Sequence, residues 1–311
     1  MRKIYWLLVI LLPFFVFASG GGGGDGGSTS PPPEVTPPST PSIIYPEQGQ
    51  LIGGLMTVEV LGSRSAGATL ELLIDGTSTG ITSTSDTLDF DVNELALTIG
   101  THTLAVRLNY TVISPEITVR VDPVELRERS LQFLRDVNTP KVTPYDTTGG
   151  VRRWDSMPLI LEVSSDIARD GFLSAYQEAA DFWTKYTGIT FQIVASAESR
   201  VENPMTGKLG VVFFEYGEPF PAGNAMCAWV NTDDSTLTHY IAAIVTVGGG
   251  YGNHKTLIAH ELGHTLGIGA EVDDGTITDH SSAKWRINPV TAEAMKILYF
   301  ELVPGSLVPL F

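Results

Sequence analysis

IAHELGHTLGIGAEVDDGTITDH, residues 258–280, contains two histidines, His260 and His264, that lie four positions apart. On an α-helix this spacing places both imidazoles on the same face, so that they can bind one metal ion. Glu261 follows the first histidine and is placed to act as a general base on a water molecule at that ion. The stretch therefore predicts a helix that binds Zn²⁺ and a site suited to hydrolysis.

The residues around the histidine pair favour this helix. Asn253 is expected to cap its N-terminus, and Gly267 or Gly269 is expected to end it. The upstream run HYIAAIVTV (239–247) predicts an edge strand, along which a protein or peptide substrate would bind as an extended strand. The alternative is that the two histidines simply face solvent on a helix without a metal. That alternative does not explain why the HExxH pattern, the helix signals and the upstream strand occur together.

The composition argues against several kinds of partner. The net charge is -16, with 35 acidic and 19 basic residues, whereas nucleic acids and anionic membranes need a positive surface. Hydrophobic residues make up 43% of the chain, enough for a globular core. The single cysteine, Cys227, allows no intramolecular disulfide, and its apolar setting NAMCAWV predicts a small core residue.

The N-terminus has the layout of a secretory signal peptide, predicted as residues 1–18. Arg2 and Lys3 precede an apolar run too short to span a bilayer comfortably, so no membrane-spanning segment is expected in the mature chain. Ser19 stands where a bacterial lipoprotein would have its lipid-bearing cysteine, so a secreted or cell-envelope protein without that anchor is expected. Residues 19–41 are rich in Gly and Pro and predict a flexible tether.

Residues 42–122 predict an all-β domain. Short runs such as TLELLIDG and HTLAVRLNY alternate with a period of two, and Gly and Asp punctuate them at intervals of roughly ten residues. LLIDGTSTG and LTIGTHTLAVRLNY resemble bacterial immunoglobulin-like modules of exported proteins. This resemblance implies a β-sandwich, in which His102 is expected at a surface or corner position.

Residues 123–311 predict a second domain of mixed helices and strands. A charged helix is expected over about 124–136, and DGFLSAYQEAADFWTKYTG has apolar residues at helical spacing with a terminal glycine. MPLILEVSSD, ITFQIVAS and LGVVFFEYG predict strands, and NPVTAEAMKILYF predicts a closing helix.

The second domain resembles the matrixin-like metzincins, a zincin group of zinc metallopeptidases. The resemblance is carried by VRRWDSMPLILEVSS, YQEAADFWTKYTGITFQIV, HYIAAIVTV, TLIAHELGHTLGIG and INPVTAEAMKILY. The family pattern HExxHxxGxxH matches His260, Glu261, His264 and Gly267. This resemblance implies an α+β zincin-like metalloprotease domain behind the N-terminal immunoglobulin-like sandwich, with zinc as cofactor.

Two residues depart from the family pattern while the register holds. Ala270 stands where the family has its third histidine ligand, and alanine binds no metal. Thr278 stands where the family commonly has a methionine in the turn before the last helix. Because GTIT and the closing helix still fall in place, we expect substitutions on a retained geometry.

Other residues of the same loop are candidates for the third ligand. Glu271 is adjacent to the expected position, and His280 is the remaining downstream histidine. Asp273 or Asp274 would supply an oxygen ligand. A site with only two protein ligands is the remaining alternative.

The sequence thus predicts an exported zinc-dependent endopeptidase, with Glu261 as general base and then as acid to the leaving amine. The alternative is a catalytically degenerate, metalloprotease-like surface binding protein that lacks a complete zinc site. Neither His239, expected at a strand start near solvent, nor His254, expected off the ligand face of the helix, is a predicted ligand.

Overall fold

The computed structural model describes residues 39–62, 64–138, 150–200, 208–217, 226–232, 239–269, 274–279, 283–304 and 306–308. The predicted signal peptide, most of the predicted tether and the side chain of Cys227 lie outside this description. The chain forms two compact units, which adjoin in sequence between Asp122 and Pro123.

The first unit consists of nine β-strands among its described residues. They form a three-stranded sheet in the order β1-β3-β6 and a second sheet in the order β2-β9-β7-β4-β5, with β8 paired to β7. The strands are β1 (Ser42–Tyr45), β2 (Gln50–Ile52), β3 (Leu55–Leu61), β4 (Leu70–Ile74), β5 (Thr77–Ser83), β6 (Thr87–Asp91), β7 (Gly100–Leu108), β8 (Val112–Ile113) and β9 (Ile117–Val121).

Side chains from both sheets form one hydrophobic core. Val58 of the first sheet and Leu72 and Val106 of the second are fully buried in the same cluster. The alternation of apolar and polar residues in the sequence supplies this core, because successive side chains of a strand point to opposite faces. The described part of this unit is therefore all-β, as predicted.

The expected surface position of His102 is wrong. The side chain is 8% exposed; its Nδ1 lies 2.7 Å from Oδ2 of Asp75, and its Nε2 lies 2.8 Å from the carbonyl oxygen of Thr98. The hydrogen bond to Asp75 is the main cause that raises the pKa of His102, and the same bond lowers the pKa of Asp75. A buried imidazole is tolerated here because both ring nitrogens have partners.

The second unit has five α-helices, a π-helical turn and five strands among its described residues. The helices are α1 (Pro123–Val137), α2 (Ser165–Arg169), α3 (Leu173–Thr187), α4 (Lys255–Thr265) and α5 (Pro289–Lys296), followed by the π-helical turn Ile297–Glu301. The strands are β10 (Leu159–Val163), β11 (Phe191–Ala195), β12 (Val211–Tyr216), β13 (Met226–Thr232) and β14 (Tyr240–Val247).

These strands form one mixed sheet in the order β11-β10-β12-β14-β13. Four of them run parallel, and β13 pairs antiparallel with β14 at one edge of the described sheet. The prediction that 239–247 is an edge strand is therefore wrong, since β14 lies between β12 and β13. Its run of buried residues, Ala242–Val245, fits an interior strand that is covered on both faces.

The helices follow the apolar pattern closely. The charged helix predicted over 124–136 is confirmed as α1, and α3 ends where predicted, at Gly188, which has a φ of 79°. Tyr176 and Trp183 on α3 are fully buried. The predicted cap of α4 is wrong: His254 occupies the N-cap position, and its side chain makes no capping hydrogen bond.

The chain is thus a mixed α and β protein with several sheets, consistent with the α+β class. No helix in the described ranges is both long enough and apolar enough to cross a membrane.

Candidate metal centre

Helix α4 brings His260 and His264 together as the spacing predicts. Their rings are perpendicular, with centroids 4.8 Å apart, and their Nε2 atoms are 3.2 Å from each other. The two residues are only 5% and 8% exposed, so the nitrogens converge in a largely water-excluded place.

Backbone carbonyls hold the other ring nitrogens. Nδ1 of His260 lies 2.8 Å from the carbonyl oxygen of Ile277, and Nδ1 of His264 lies 2.7 Å from that of Ile268. A carbonyl oxygen only accepts, so both Nδ1 atoms carry hydrogen in the neutral rings and leave the two Nε2 atoms as acceptors. Fixing the tautomer from the far side of the ring is how metal-binding histidines are usually oriented.

The geometry of the two Nε2 atoms fits zinc. Two nitrogens bound to one tetrahedral zinc at about 2.0–2.1 Å lie about 3.3–3.4 Å apart, close to the observed 3.2 Å. Burial is the main cause that lowers the pKa of His264, which favours the neutral, ligand-competent ring. His260 and His264 would therefore hold the ion.

Glu261 is buried beside the histidines, as expected for the predicted general base. It is 4% exposed, and burial raises the pKa of its carboxyl group to about 8, while a hydrogen bond from the backbone N–H of Ala228 acts in the opposite direction. Ala228 belongs to the edge strand β13, so the carboxyl group adjoins the open edge of the described sheet. A carboxyl group that titrates near neutral pH suits proton transfer.

Side chains from distant segments bind the last carbonyl groups of α4 and its following turn. Trp154 Nε1 donates to the carbonyl of Thr265 at 2.7 Å, and Tyr299 Oη donates to that of Leu266 at 2.9 Å. These groups would otherwise lack partners, because a helix leaves its last carbonyls without intrahelical donors. The sequence does not mark these side chains, since nothing local indicates a partner 111 or 33 residues away.

Two glycines of HELGHTLGIG permit close packing around the site. A Cβ at Gly263 would lie 2.8 Å from Cζ2 of Trp183, whose Nε1 donates to the carbonyl of Ala259 at 2.8 Å. Gly267 has a φ of +113°, and its Cβ would lie 2.5 Å from Nδ2 of Asn138. Both positions therefore need glycine for structural reasons.

The segment Asp274–Asp279 passes beside His260, which binds its Ile277 carbonyl. Thr278, at the position where the resemblance expects methionine, is 4% exposed, and its Oγ1 lies 3.2 Å from that of Thr276. The segment thus returns to the histidines, with hydroxyl groups at this point.

The third ligand is not identified among the described residues. Asp274 hydrogen bonds instead to Thr276 and to Nδ2 of Asn288, the latter at 3.1 Å. No group of three His, Cys, Asp or Glu side chains suited to a metal ion occurs in the described ranges. Glu271, His280 and the alternative Asp273 lie outside those ranges, so their assignment stays a prediction.

The other two histidines of this unit that the structure describes have different surroundings. Nε2 of His239 lies 2.8 Å from Oδ1 of Asp155, and its side chain is 28% exposed. The ring of His254 packs against Tyr251, with centroids 5.3 Å apart, at the start of α4.

No family model matches the chain, and no curated protein matches it. Solved structures match weakly over parts of the chain. The endo-β-1,4-mannanase from Thermotoga petrophila is 15% identical with a TM-score of 0.23, over 29% of this chain and 21% of that one. The fibronectin(III)-like modules of Clostridium thermocellum CbhA are 13% identical with a TM-score of 0.20, over 26% of this chain and 92% of that one. Such scores establish no shared fold and carry no inference about function.

Proposed function

We propose that the chain is an exported zinc-dependent endopeptidase with a zincin-like second domain. The observation that carries the proposal is the convergence of two buried Nε2 atoms at 3.2 Å, each with its Nδ1 fixed by a backbone carbonyl. Two histidines held in this way, with a carboxyl group between them in sequence, suit metal-assisted hydrolysis better than a structural role.

Each residue of the site has a defined task in this proposal. His260 and His264 hold zinc, which when bound polarises a carbonyl group and makes water acidic near neutral pH. Glu261 takes a proton from the attacking water and passes it to the nitrogen of the leaving amine. The carboxylate form takes that proton, and burial, which raises the pKa of this group to about 8, makes it a stronger base than an exposed glutamate.

The edge strand β13 is the proposed binding place for the peptide. It pairs only with β14 among the described residues, and an edge strand offers backbone N–H and C=O groups to an extended peptide. Because the N–H of Ala228 already reaches Glu261, a peptide along β13 passes the general base. The substrate is therefore an unfolded or loop segment of a protein rather than a compact surface.

Export and domain arrangement complete the proposal. Residues 1–18 direct secretion or cell-envelope placement, and the Gly/Pro-rich tether carries an immunoglobulin-like module before the peptidase domain. These parts rest on the sequence pattern, because the export segment and most of the tether lie outside the described residues.

Hydrolysis of a fluorogenic peptide mixture by the full chain tests the proposal. Glu261→Gln should lower kcat about 10²–10⁴-fold, since general base catalysis contributes that much, while zinc binding is retained. Glu128→Gln, which changes an exposed carboxyl group on α1, is the matched control and should leave kcat unchanged. Equal turnover by the wild-type and Glu261→Gln chains would contradict the proposal.

One observation favours the second candidate, a metalloprotease-like binding protein without a complete zinc site. Ala270, which binds no metal, stands where the family has its third histidine ligand. Zinc bound with equal affinity by wild type, Glu271→Ala and His280→Ala, combined with no peptide hydrolysis, would favour this candidate.

A further inference from the structure

We propose that Arg286 is a positioning residue for His260, which it orients through the loop Asp274–Asp279. The inference rests on the proposed function, because it assigns a residue that tunes the same zinc site. Arg286 acts on the loop that carries the carbonyl group bonded to the imidazole.

The first step concerns the carbonyl of Ile277. It accepts the hydrogen of His260 Nδ1 at 2.8 Å and so fixes the rotation of the ring. Its loop has no regular secondary structure, so the carbonyl owes its position to tertiary contacts. Displacing it would turn Nε2 of His260 away from that of His264.

Arg286 binds the loop at two points on either side of Thr276. Its Nε donates to the carbonyl of Gly275 at 2.7 Å, and its own carbonyl accepts the N–H of Ile277 at 2.7 Å. The residue is 5% exposed, so water competes little for these bonds. Side chain and backbone of one residue thus clamp the segment that carries the Ile277 carbonyl.

Gly275 gives independent support for this clamp. Its φ is +65°, and a Cβ there would lie 3.1 Å from the guanidinium nitrogen Nη2 of Arg286. A guanidinium group therefore packs directly against the bare backbone of the loop. Side-chain bulk at residue 275 would push the two apart.

The neighbouring Lys284 provides a matched control. Its backbone N–H donates to the carbonyl of Thr276 at 3.1 Å, while its side chain is exposed. Lys284→Met therefore removes a cation from the same segment and leaves its bond to the loop intact. Arg286→Met removes a cation together with the bond to Gly275.

The test measures zinc affinity of the full chain by competition with a chromophoric chelator, together with the melting temperature of the metal-free chain. Arg286→Met should weaken zinc binding about 10-fold, the lower end of the cost of losing an outer-shell partner, because Arg286 acts one contact further out. Arg286→Lys should recover part of this loss, because an ammonium group can still donate to Gly275. Lys284→Met should stay within about twofold of wild type, as expected for a substitution of an exposed side chain.

The outcomes separate this inference from the proposed function. A folded Arg286→Met chain that binds zinc as wild type does would overturn the inference alone. Loss of folding in both Arg286 variants would also overturn it, by showing that the residue serves the fold and not the metal. A wild-type chain that binds no zinc would instead refute the proposed function.

Discussion

Replacement of Gly267 by alanine tests the packing that ends the histidine helix. The residue has a φ of +113°, and the added Cβ would lie 2.5 Å from Nδ2 of Asn138 and 3.2 Å from the hydroxyl of Tyr240. Asn138 cannot move away cheaply. Its Nδ2 donates to the carbonyls of Gly267 and Arg152 at 3.1 and 2.9 Å, and its Oδ1 accepts the N–H of Arg152 at 3.0 Å.

Two costs and one gain set the magnitude for Gly267→Ala. Backbone strain at this φ costs about 1–3 kcal/mol, and overpacking against Asn138 costs about 1–3 kcal/mol. The lower entropy of the unfolded alanine chain returns about 0.4–1 kcal/mol. The free energy of unfolding should therefore fall by about 1–6 kcal/mol, which lowers the melting temperature of a unit of this size by about 2–24 °C.

Tryptophan fluorescence during heating is the assay. Residues 39–122 of the first unit contain no tryptophan. Four of the five tryptophans belong to the second unit, so the signal reports on its unfolding: Trp154, Trp183, Trp229 and Trp285. Gly250→Ala is the control, since its φ is +94° and nothing lies within 4 Å of an added Cβ. A melting temperature for Gly267→Ala no lower than that of Gly250→Ala would refute the steric reasoning.

Three further predictions follow from described contacts. Gly263→Ala should lower the free energy of unfolding, measured in urea, by about 1–2 kcal/mol, because the cost of overpacking against Trp183 exceeds the gain in helix propensity. A variant more stable than wild type would contradict this. The pair His102 and Asp75 should stabilise the folded chain most between about pH 4 and 6.5. The pKa of His102 is raised in the folded chain, so its stabilisation is lost as the pH rises and the ring loses its proton. The pKa of Asp75 is lowered, so its stabilisation is lost as the pH falls and the carboxylate gains a proton. Calorimetry should therefore show a larger loss for His102→Gln at pH 5 than at pH 9, and equal losses would disprove the linkage. Asn288→Ala should cost about 1–2 kcal/mol in thermal unfolding, because the side chain accepts the N–H of Val290 at the N-cap of α5; an unchanged midpoint would show that this cap contributes nothing.

Helices α1, α3 and α4 were accessible from the sequence because their signals are local. The charged run over about 124–136 gave α1 to within one residue at each end, and apolar residues at helical spacing gave α3, whose end Gly188 marks through its left-handed backbone. The same local rule placed His260 and His264 on one face of α4, and the structure confirms that arrangement.

The position of a strand within its sheet was not accessible in the same way. The run 239–247 was expected at the edge, yet β13 occupies that place and β14 lies inside. Strand order depends on pairing between distant segments, although the unbroken apolar run of β14 is typical of a strand covered on both faces. The predicted surface position of His102 was wrong for a related reason, since its partner Asp75 lies 27 residues away in the sequence.

The side chains that hold the histidine helix and its neighbouring loop in place could not be predicted from the sequence either. Trp154, Tyr299 and Asn138 bind the carbonyls that end the histidine helix, and Arg286 binds the loop beside His260. Each contact joins segments that are distant in the chain, and no motif marks these residue types. The motif HELGH thus predicts the pair of ligands, but the packing that holds them emerges only in the folded chain.

Zinc content of the purified full chain, measured by elemental analysis beside His264→Ala, tests the central claim most directly. We expect about one zinc per wild-type chain, as in a catalytic site, and a large loss in His264→Ala. A parallel loss in Glu271→Ala or His280→Ala would identify the third ligand. Zinc in the wild-type chain no higher than in His264→Ala, even after incubation with the metal, would contradict the claim that this helix carries a metal centre.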